Sequence, residues 1–181
     1  MAGVCRGQQI CGVPISGAKL IVVDKVASAG RAKVVFVAKD AVITKGPGTD
    51  SAQIDAKMHV AFDAVDGRFD MPQGANWVAN SATVARYVNS AAPTAGSVKV
   101  GVIKTGLVKT VAKSLGDLPL DVSQAPTGPV YVASTVVNGS QTLLHCVQFA
   151  TCMHKTIAAG TGYRLVCKDG TGDATCHALV P

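Results

Sequence analysis

The chain contains 181 residues, of which 48% are hydrophobic, 15% are charged and only 4% are aromatic. This apolar content excludes an intrinsically disordered chain, and the length fits one domain with its own core. The net charge is +6, but the lysines are scattered and no basic run is interleaved with aromatic residues, so we expect no nucleic-acid partner. The longest apolar runs fall far short of the ~18 residues of a membrane-spanning helix, so no membrane span is predicted.

The first half of the chain has the pattern of short β-strands. AKLIVVDK and RAKVVFVAKD predict a hairpin whose strands are apolar on both faces, which indicates burial on both sides of the sheet. The next segment, DAKMHVAFDA, alternates between apolar and polar residues. The alternation predicts that His59 faces solvent and that three residues face the core: Met58, Val60 and Phe62.

Turn signals divide the rest of the chain into further strands. Asp66-Gly67 is typical of a tight turn, and two further hairpins are predicted across Thr105-Gly106 and Asn138-Gly139. The segment 73–90 is the least strand-like, because TVARYV within it fits either a short helix or a strand. We favour the strand.

About ten strands and no firm helix predict an all-β fold, an antiparallel β-sandwich of Greek-key or jelly-roll type that is stapled by disulfides. We expect an N-terminal cysteine-containing segment over 1–13 and a single sandwich domain over 14–181. Several lysines stand singly at strand ends and are interpreted as protecting sheet edges and solubilising the faces. These are Lys19, Lys25, Lys33, Lys39, Lys99, Lys104, Lys109 and Lys113.

The cysteines form an even set at the two ends of the chain: Cys5, Cys11, Cys146, Cys152, Cys167 and Cys176. No C-x2-C pair is present, so disulfides are favoured over structural zinc. Disulfides indicate an oxidising compartment, and we expect a secreted or cell-surface protein. The spacing favours three local pairs, Cys5–Cys11, Cys146–Cys152 and Cys167–Cys176, with a bridge from the N-terminal segment to the C-terminal cluster as the alternative.

Candidate metal ligands are few. His145 lies among apolar neighbours in QTLLHCVQF, which is typical of a half-buried histidine with a hydrogen-bond partner. The alternative is a copper or zinc site formed with His154 and a carboxylate, and His59 is a further weak candidate. Nothing fixes a third ligand, so we predict no cofactor. Asp63, Asp66 and Asp70 suggest either a solvated turn or a calcium site.

The best candidate for ligand binding is Trp77, in the loop GANW, together with Asn76 and Tyr87. A lone Trp in a β protein is either a core residue or, when it is exposed in a loop, a platform for a carbohydrate. The sequence contains no hydrolase elbow, zinc-protease, phosphate-loop or dinucleotide motif, and no Glu. No catalytic residue is predicted.

Several segments resemble an uncharacterised module found in predicted secreted bacterial proteins. They are AKLIVVDKVASAGRAKVVFVAKDAVITKGPGTD, FDMPQGANWVANSATVARYVN, VKTVAKSLGDLPLD and GYRLVCKDGTGD. The similarity covers most of the chain after Val13, and Cys5 and Cys11 fall outside it. The resemblance implies export and β structure, and no known chemistry.

These observations favour a non-catalytic extracellular or cell-surface module with a structural or assembly role, associating with itself through strand edges. The alternative is a module that binds polysaccharide or cell wall through Trp77 and nearby tyrosines. A secreted enzyme that depends on copper or zinc, built on the histidines, is the third hypothesis.

Overall fold

The computed structural model describes residues 12–25, 32–91, 97–114, 118–157 and 161–179. Their regular structure is β, apart from short 3-10 turns at Ser51–Gln53 and His177–Leu179. The predicted all-β, antiparallel fold is confirmed, including a strand within TVARYV. Among these residues there is no helix of the length and hydropathy required to cross a membrane.

Thirteen strands, more than the ten expected, are present in the described residues. In chain order they are β1 (Val13–Pro14), β2 (Ala18–Asp24), β3 (Ala32–Ala38), β4 (Ile54–Phe62), β5 (Val65–Met71), β6 (Trp77–Asn80), β7 (Val84–Val88), β8 (Val98–Lys104), β9 (Leu107–Ser114), β10 (Val130–Asn138), β11 (Gln141–Phe149), β12 (Cys152–Ile157) and β13 (Gly162–Gly172).

The strands form one sheet with the order β5-β4-β10-β11-β13-β2-β3-β9-β8-β7-β6. β1 pairs in parallel with β11, and β12 pairs with β13. The sheet is curled into a half-barrel, so the predicted sandwich is not confirmed. The reason lies in β13, whose first part pairs with β12 and β2 and whose end pairs with β11 after a bulge between Cys167 and Gly170.

Alternation along the strands determines the core. Every second residue of β4 is buried, as predicted: Ile54, Ala56, Met58, Val60 and Phe62. In the β2–β3 hairpin, however, only the inner face is fully buried, and the outer residues Ile21, Val23, Val35 and Val37 are half-buried. The expectation that this hairpin is buried on both faces is therefore wrong.

The turn between β4 and β5 lies before the predicted one. It is formed at Asp63-Ala64, where Asp63 has a positive φ of 49°, and Asp66 and Gly67 lie within β5. Gly67 meets a packing requirement instead, because a Cβ there would lie 2.5 Å from the carbonyl oxygen of Pro119.

One lysine points inward. Lys45 is 2% exposed, and its ammonium donates hydrogen bonds to the carbonyl oxygens of Gly46 (3.1 Å) and Gly48 (2.6 Å). Asn138 Nδ2 donates to the carbonyls of Lys45 and Gly48 at 2.9 and 3.0 Å. Burial lowers the pKa of Lys45 below that of a free lysine. The loop is thus folded around a buried cation.

The four described cysteines form two disulfides, Cys146–Cys176 and Cys152–Cys167. Disulfide formation is confirmed, but the predicted local pairing of these four residues is wrong. Cys152 lies directly opposite Cys167 in the β12–β13 ladder, whereas Cys146 packs with Cys176 in a small cluster on the outer face of β11. The predicted Cys5–Cys11 pair lies outside the described residues.

The C-terminal segment is docked by more than its disulfide. The Asp173 carboxylate is 3% exposed and accepts hydrogen bonds from the backbone N–H groups of Thr175 (3.1 Å) and His177 (2.7 Å). The His177 ring also lies 4.7 Å from that of Tyr131 on β10. The segment therefore covers the outer face of β10 and β11.

Peptide mapping without reductant tests this connectivity. Trypsin is expected to yield fragment 165–168, which contains Cys167, linked to the fragment containing Cys146 and Cys152. The C-terminal fragment with Cys176 should be attached to the same fragment, and chymotryptic cleavage after Phe149 should then assign each bridge. A separate species consisting only of fragment 165–168 and the C-terminal fragment would show the local pairing instead.

Candidate functional site

The three residues predicted to bind a carbohydrate lie together, with Trp77 and Tyr87 buried and Asn76 half-buried. Trp77 and Tyr87 are 3% and 2% exposed, and their rings pack edge to face at 5.3 Å. Trp77 Nε1 donates to the carbonyl of Pro72 at 3.1 Å, and Asn76 Nδ2 donates to the Tyr87 hydroxyl at 3.3 Å. Neither ring offers an exposed face on which a sugar ring can stack, so the cluster has the features of core packing.

The three histidines considered as metal ligands lie in separate places. His59 is on the outer face of β4, 3.9 Å from an Asp66 oxygen, and His145 is on the inner face of β11. His154 Nε2 lies 2.9 Å from the carbonyl oxygen of Val122. Across the described ranges, no three His, Cys, Asp or Glu side chains are grouped so that they could hold a metal ion.

The three aspartates considered for calcium are also engaged separately. Asp63 accepts hydrogen bonds from the backbone N–H and hydroxyl of Thr127 at 2.9 and 2.7 Å, and these bonds lower its pKa. Asp70 accepts from Arg68 Nε at 2.8 Å. Asp63 thus ties its turn to Thr127, 64 residues along the chain, and Asp70 pairs with Arg68 on its own strand.

His145 is the most unusual titratable group in the core. It is 1% exposed, and neither ring nitrogen has a hydrogen-bond partner. Ser134, its direct neighbour across the β10–β11 ladder, has a buried hydroxyl that also lacks a partner. The histidine predicted to be half-buried and hydrogen-bonded is instead fully buried and has no hydrogen-bond partner. Burial lowers the pKa of His145, and the negative charge of Asp40 offsets part of this effect.

A different surface brings charged side chains together. The outer face of the sheet from β12 to β7 carries eight exposed cations, which we call the basic face: Lys19, Lys33, Arg86, Lys109, Lys113, Lys155, Arg164 and Lys168. None of the eight forms a salt bridge with a described carboxylate. Asp169, in the bulge of β13, borders the face beside Lys168.

Strand register arranges these cations in two rows across the sheet. In the first row the consecutive partners are Lys155, Arg164, Val23, Lys33 and Lys113. In the second row they are Lys19, Val37, Lys109, Val102 and Arg86, and Lys168 lies with Lys19 around one hollow. The rows are four residues apart along the strands, which corresponds to about 13 Å.

An apolar stripe runs between the two rows. It crosses seven strands, with consecutive partners Met153, Val166, Ile21, Val35, Val111, Val100 and Val88. At about 4.8 Å per strand the stripe is about 29 Å long. All of its residues except Met153 are half-buried, so the stripe is a recessed floor between the longer basic side chains.

Two hollows adjoin on this face. The larger, of about 590 Å³, has Ile21, Val23 and Val35 among its apolar lining and Lys33 and Lys113 among its basic lining. The smaller, of about 250 Å³, is lined by Met153 and Val166 together with four cations: Lys19, Lys155, Arg164 and Lys168. Arg164 lines both hollows, and no described acidic residue lines either of them.

Sequence reasoning missed this site because its cations are never clustered along the chain. Along the chain, single lysines at strand ends are typical of residues that solubilise strands, and this applies to Lys19, Lys33, Lys109 and Lys113. They share a surface because each occupies an outward position, and because strands distant in sequence are neighbours in the sheet. The sequence did contain one signal of this face: in each of these strands the lysines alternate with buried residues, so they point outward.

Comparisons with known proteins find nothing similar: the chain matches no family model, no curated protein and no solved structure. The resemblance to a secreted bacterial module stays a prediction. Its function is therefore inferred from the geometry of the chain itself.

The buried imidazole of His145 should make the free energy of unfolding depend on pH. Because the pKa of His145 is lowered in the folded state, the unfolded chain binds more protons below about pH 6.5. The free energy of unfolding should therefore fall as the pH drops below that value, by up to about 1.4 kcal/mol per pH unit from this group. His145→Leu should remove this part of the slope, as measured by urea unfolding between neutral and mildly acidic pH.

Ser134→Ala is the matched control, because it changes the neighbouring buried polar group and keeps the imidazole. Its pH slope should equal that of the wild type. Equal slopes for wild type and His145→Leu would contradict the assignment.

Proposed function

We propose that this chain is a non-catalytic, extracellular module that attaches to a polyanionic partner through the basic face. One observation supports the proposal above all: eight exposed cations lie in two rows on one side of the sheet, beside an apolar stripe. The chain has seventeen basic residues and a net charge of +6, so nearly half of its cations are on this face.

The energetics favour a partner with many charges. A single exposed ion pair contributes at most ~1 kcal/mol and is screened by salt. Eight cations on one face create a positive potential over an area much larger than one small anion can cover. A polymer can contact several cations at once, so that modest contributions add up to useful affinity.

The covalent structure supports rigid display of the face. The Cys152–Cys167 disulfide ties β12, with Lys155, to β13, with Arg164 and Lys168. Fixing the cations before binding reduces the entropy lost when a partner orders them. Disulfides form in oxidising compartments, which supports the secreted or cell-surface location that we propose for the protein.

Self-association through strand edges is the second candidate, favoured by the end of the sheet. β6 is the last strand of the path, and Val78 on it is 56% exposed. An unpaired edge with an exposed apolar residue can pair with a second copy. Sedimentation of the protein alone and with a polyanion separates this behaviour from assembly that the polymer drives.

Binding to immobilised dextran sulfate, a generic polyanion, tests the main proposal. We expect salt-sensitive binding by the wild type and a roughly tenfold loss of affinity for Lys33→Gln/Lys113→Gln, since each exposed ion pair contributes up to ~1 kcal/mol. The control Lys57→Gln/Arg68→Gln removes the same net charge from β4 and β5, away from the basic face.

The control should bind nearly as well as the wild type. Equal losses in the two double variants would mean that only net charge matters, and the face would then have no specific role. A wild type that fails to bind at about 0.15 M salt would contradict the proposal outright.

A further inference from the structure

From the shape of the basic face we infer the class of the polyanion: an acidic polysaccharide that lies across the strands, along the apolar stripe, with Arg164, between the two hollows, as its anchor. This inference rests on the proposed function. It concerns what the partner is and how it lies, and four features of the face carry it.

The first feature is the depth of the stripe. Ile21, Val35 and Val111 are half-buried, and Met153, at 49%, is the one strongly exposed apolar residue of the stripe. A protein that docks on a bilayer inserts protruding apolar or aromatic side chains among the lipid headgroups. Here the apolar atoms are recessed and the cations project beyond them, so the face fits a chain lying in a shallow trough better than a membrane.

The second feature is the absence of aromatic residues at the outward positions of β12, β13, β2, β3, β9, β8 and β7. Phe36, Tyr87 and Tyr163 belong to these strands, but they point to the inner side and pack against the core. Single-stranded nucleic acids are bound largely by stacking of bases on aromatic rings. The face lacks that platform throughout its described residues.

The third feature is charge density. Eight cations along a stripe of about 29 Å give one cation per ~3.6 Å, whereas a DNA duplex carries one phosphate charge per ~1.7 Å of its axis. This spacing is sparser than the charge of a duplex but close to the ~3.4 Å per charge of a single nucleic-acid strand, which the missing aromatic platform disfavours instead. An acidic polysaccharide carries its carboxylates or sulfates on the edges of sugar rings, which leaves C–H groups free to contact an aliphatic floor.

The fourth feature is Arg164 itself. It lines both hollows and lies between Lys155 and Val23 in the first row. A guanidinium can donate two parallel hydrogen bonds to one carboxylate or sulfate, which an ammonium cannot do. The larger hollow, at about 590 Å³, lies within the size range of small-molecule sites. One polymer chain that follows the stripe can place acidic groups in both hollows, on either side of this arginine.

The test compares four probes at about 0.15 M salt, with the intact disulfide-bonded chain and direct measurement of binding. The probes are polygalacturonate, its fully methyl-esterified neutral form, a DNA duplex, and vesicles of phosphatidylglycerol and phosphatidylcholine in equal parts. We expect the acidic polysaccharide to bind most tightly at equal charge concentration and the neutral ester to bind weakly. Tighter binding of duplex or vesicles would overturn the inference while leaving the proposed function intact. Binding of no probe would overturn both.

Arg164→Lys tests the anchor, because it keeps the charge and removes the paired hydrogen bonds. It should weaken polygalacturonate binding by about fivefold or more, whereas the exposed Arg68→Lys, on β5 and outside the basic face, should leave it nearly unchanged. Val35→Thr, which keeps the shape and adds a hydroxyl to the floor, should also weaken binding, with folding checked by thermal unfolding. Equal affinities of Arg164→Lys and Arg68→Lys would refute the placement of the polymer.

Discussion

The register between neighbouring strands decides where the charges of this molecule lie. Side chains alternate between the two faces of a strand, so a slip of one residue between β2 and β3 would turn Lys33 into the core and Val34 out to solvent. Burial of Leu20 and Phe36 on the inner face opposes such a slip, because each large apolar side chain contributes about 1.5–3 kcal/mol when it is buried. The hydrophobic core thus fixes the basic face on the opposite side of the same strands.

Disulfides and polar contacts stabilise the sheet where its ladders end. Cys152 and Cys167 bind the edge strand β12 to the long strand β13, and Cys146 holds Cys176 and the C-terminal segment against the outer face of β11. In the chain-entropy model, closures of 30 and 15 residues stabilise the fold by roughly 3–4 kcal/mol each. Lys45 has a different role, since its ammonium donates its hydrogen bonds to backbone carbonyls inside a loop. One cation organises the interior, and the exposed ones remain available to a partner.

Local features of the sequence were sufficient for the strands and insufficient for the site. Alternation in β4 predicted its buried residues, and turn signals located the hairpins at Gly106 and Gly139, because both depend on contacts between close neighbours in the chain. Cysteine pairing depends on which strand lies beside β13, and spacing along the chain carries no information about that. The basic face is not predictable from the sequence for the same reason, because Lys33 and Lys113 are direct partners only through the β3–β9 ladder. The sequence does not decide whether Trp77 is a core residue or a platform for a sugar, because that depends on its long-range contact with Tyr87.

The alignment of basic residues by strand register is the central claim, and interstrand nuclear Overhauser effects in solution test it most directly. Antiparallel partners have Cα atoms about 4.5–5.5 Å apart, so their backbone protons give short-range contacts. We predict such contacts for Lys33 with both Val23 and Lys113, and for Arg164 with both Lys155 and Val23. Contacts shifted by one residue in any of these ladders would move a basic side chain to the inner face and contradict the account.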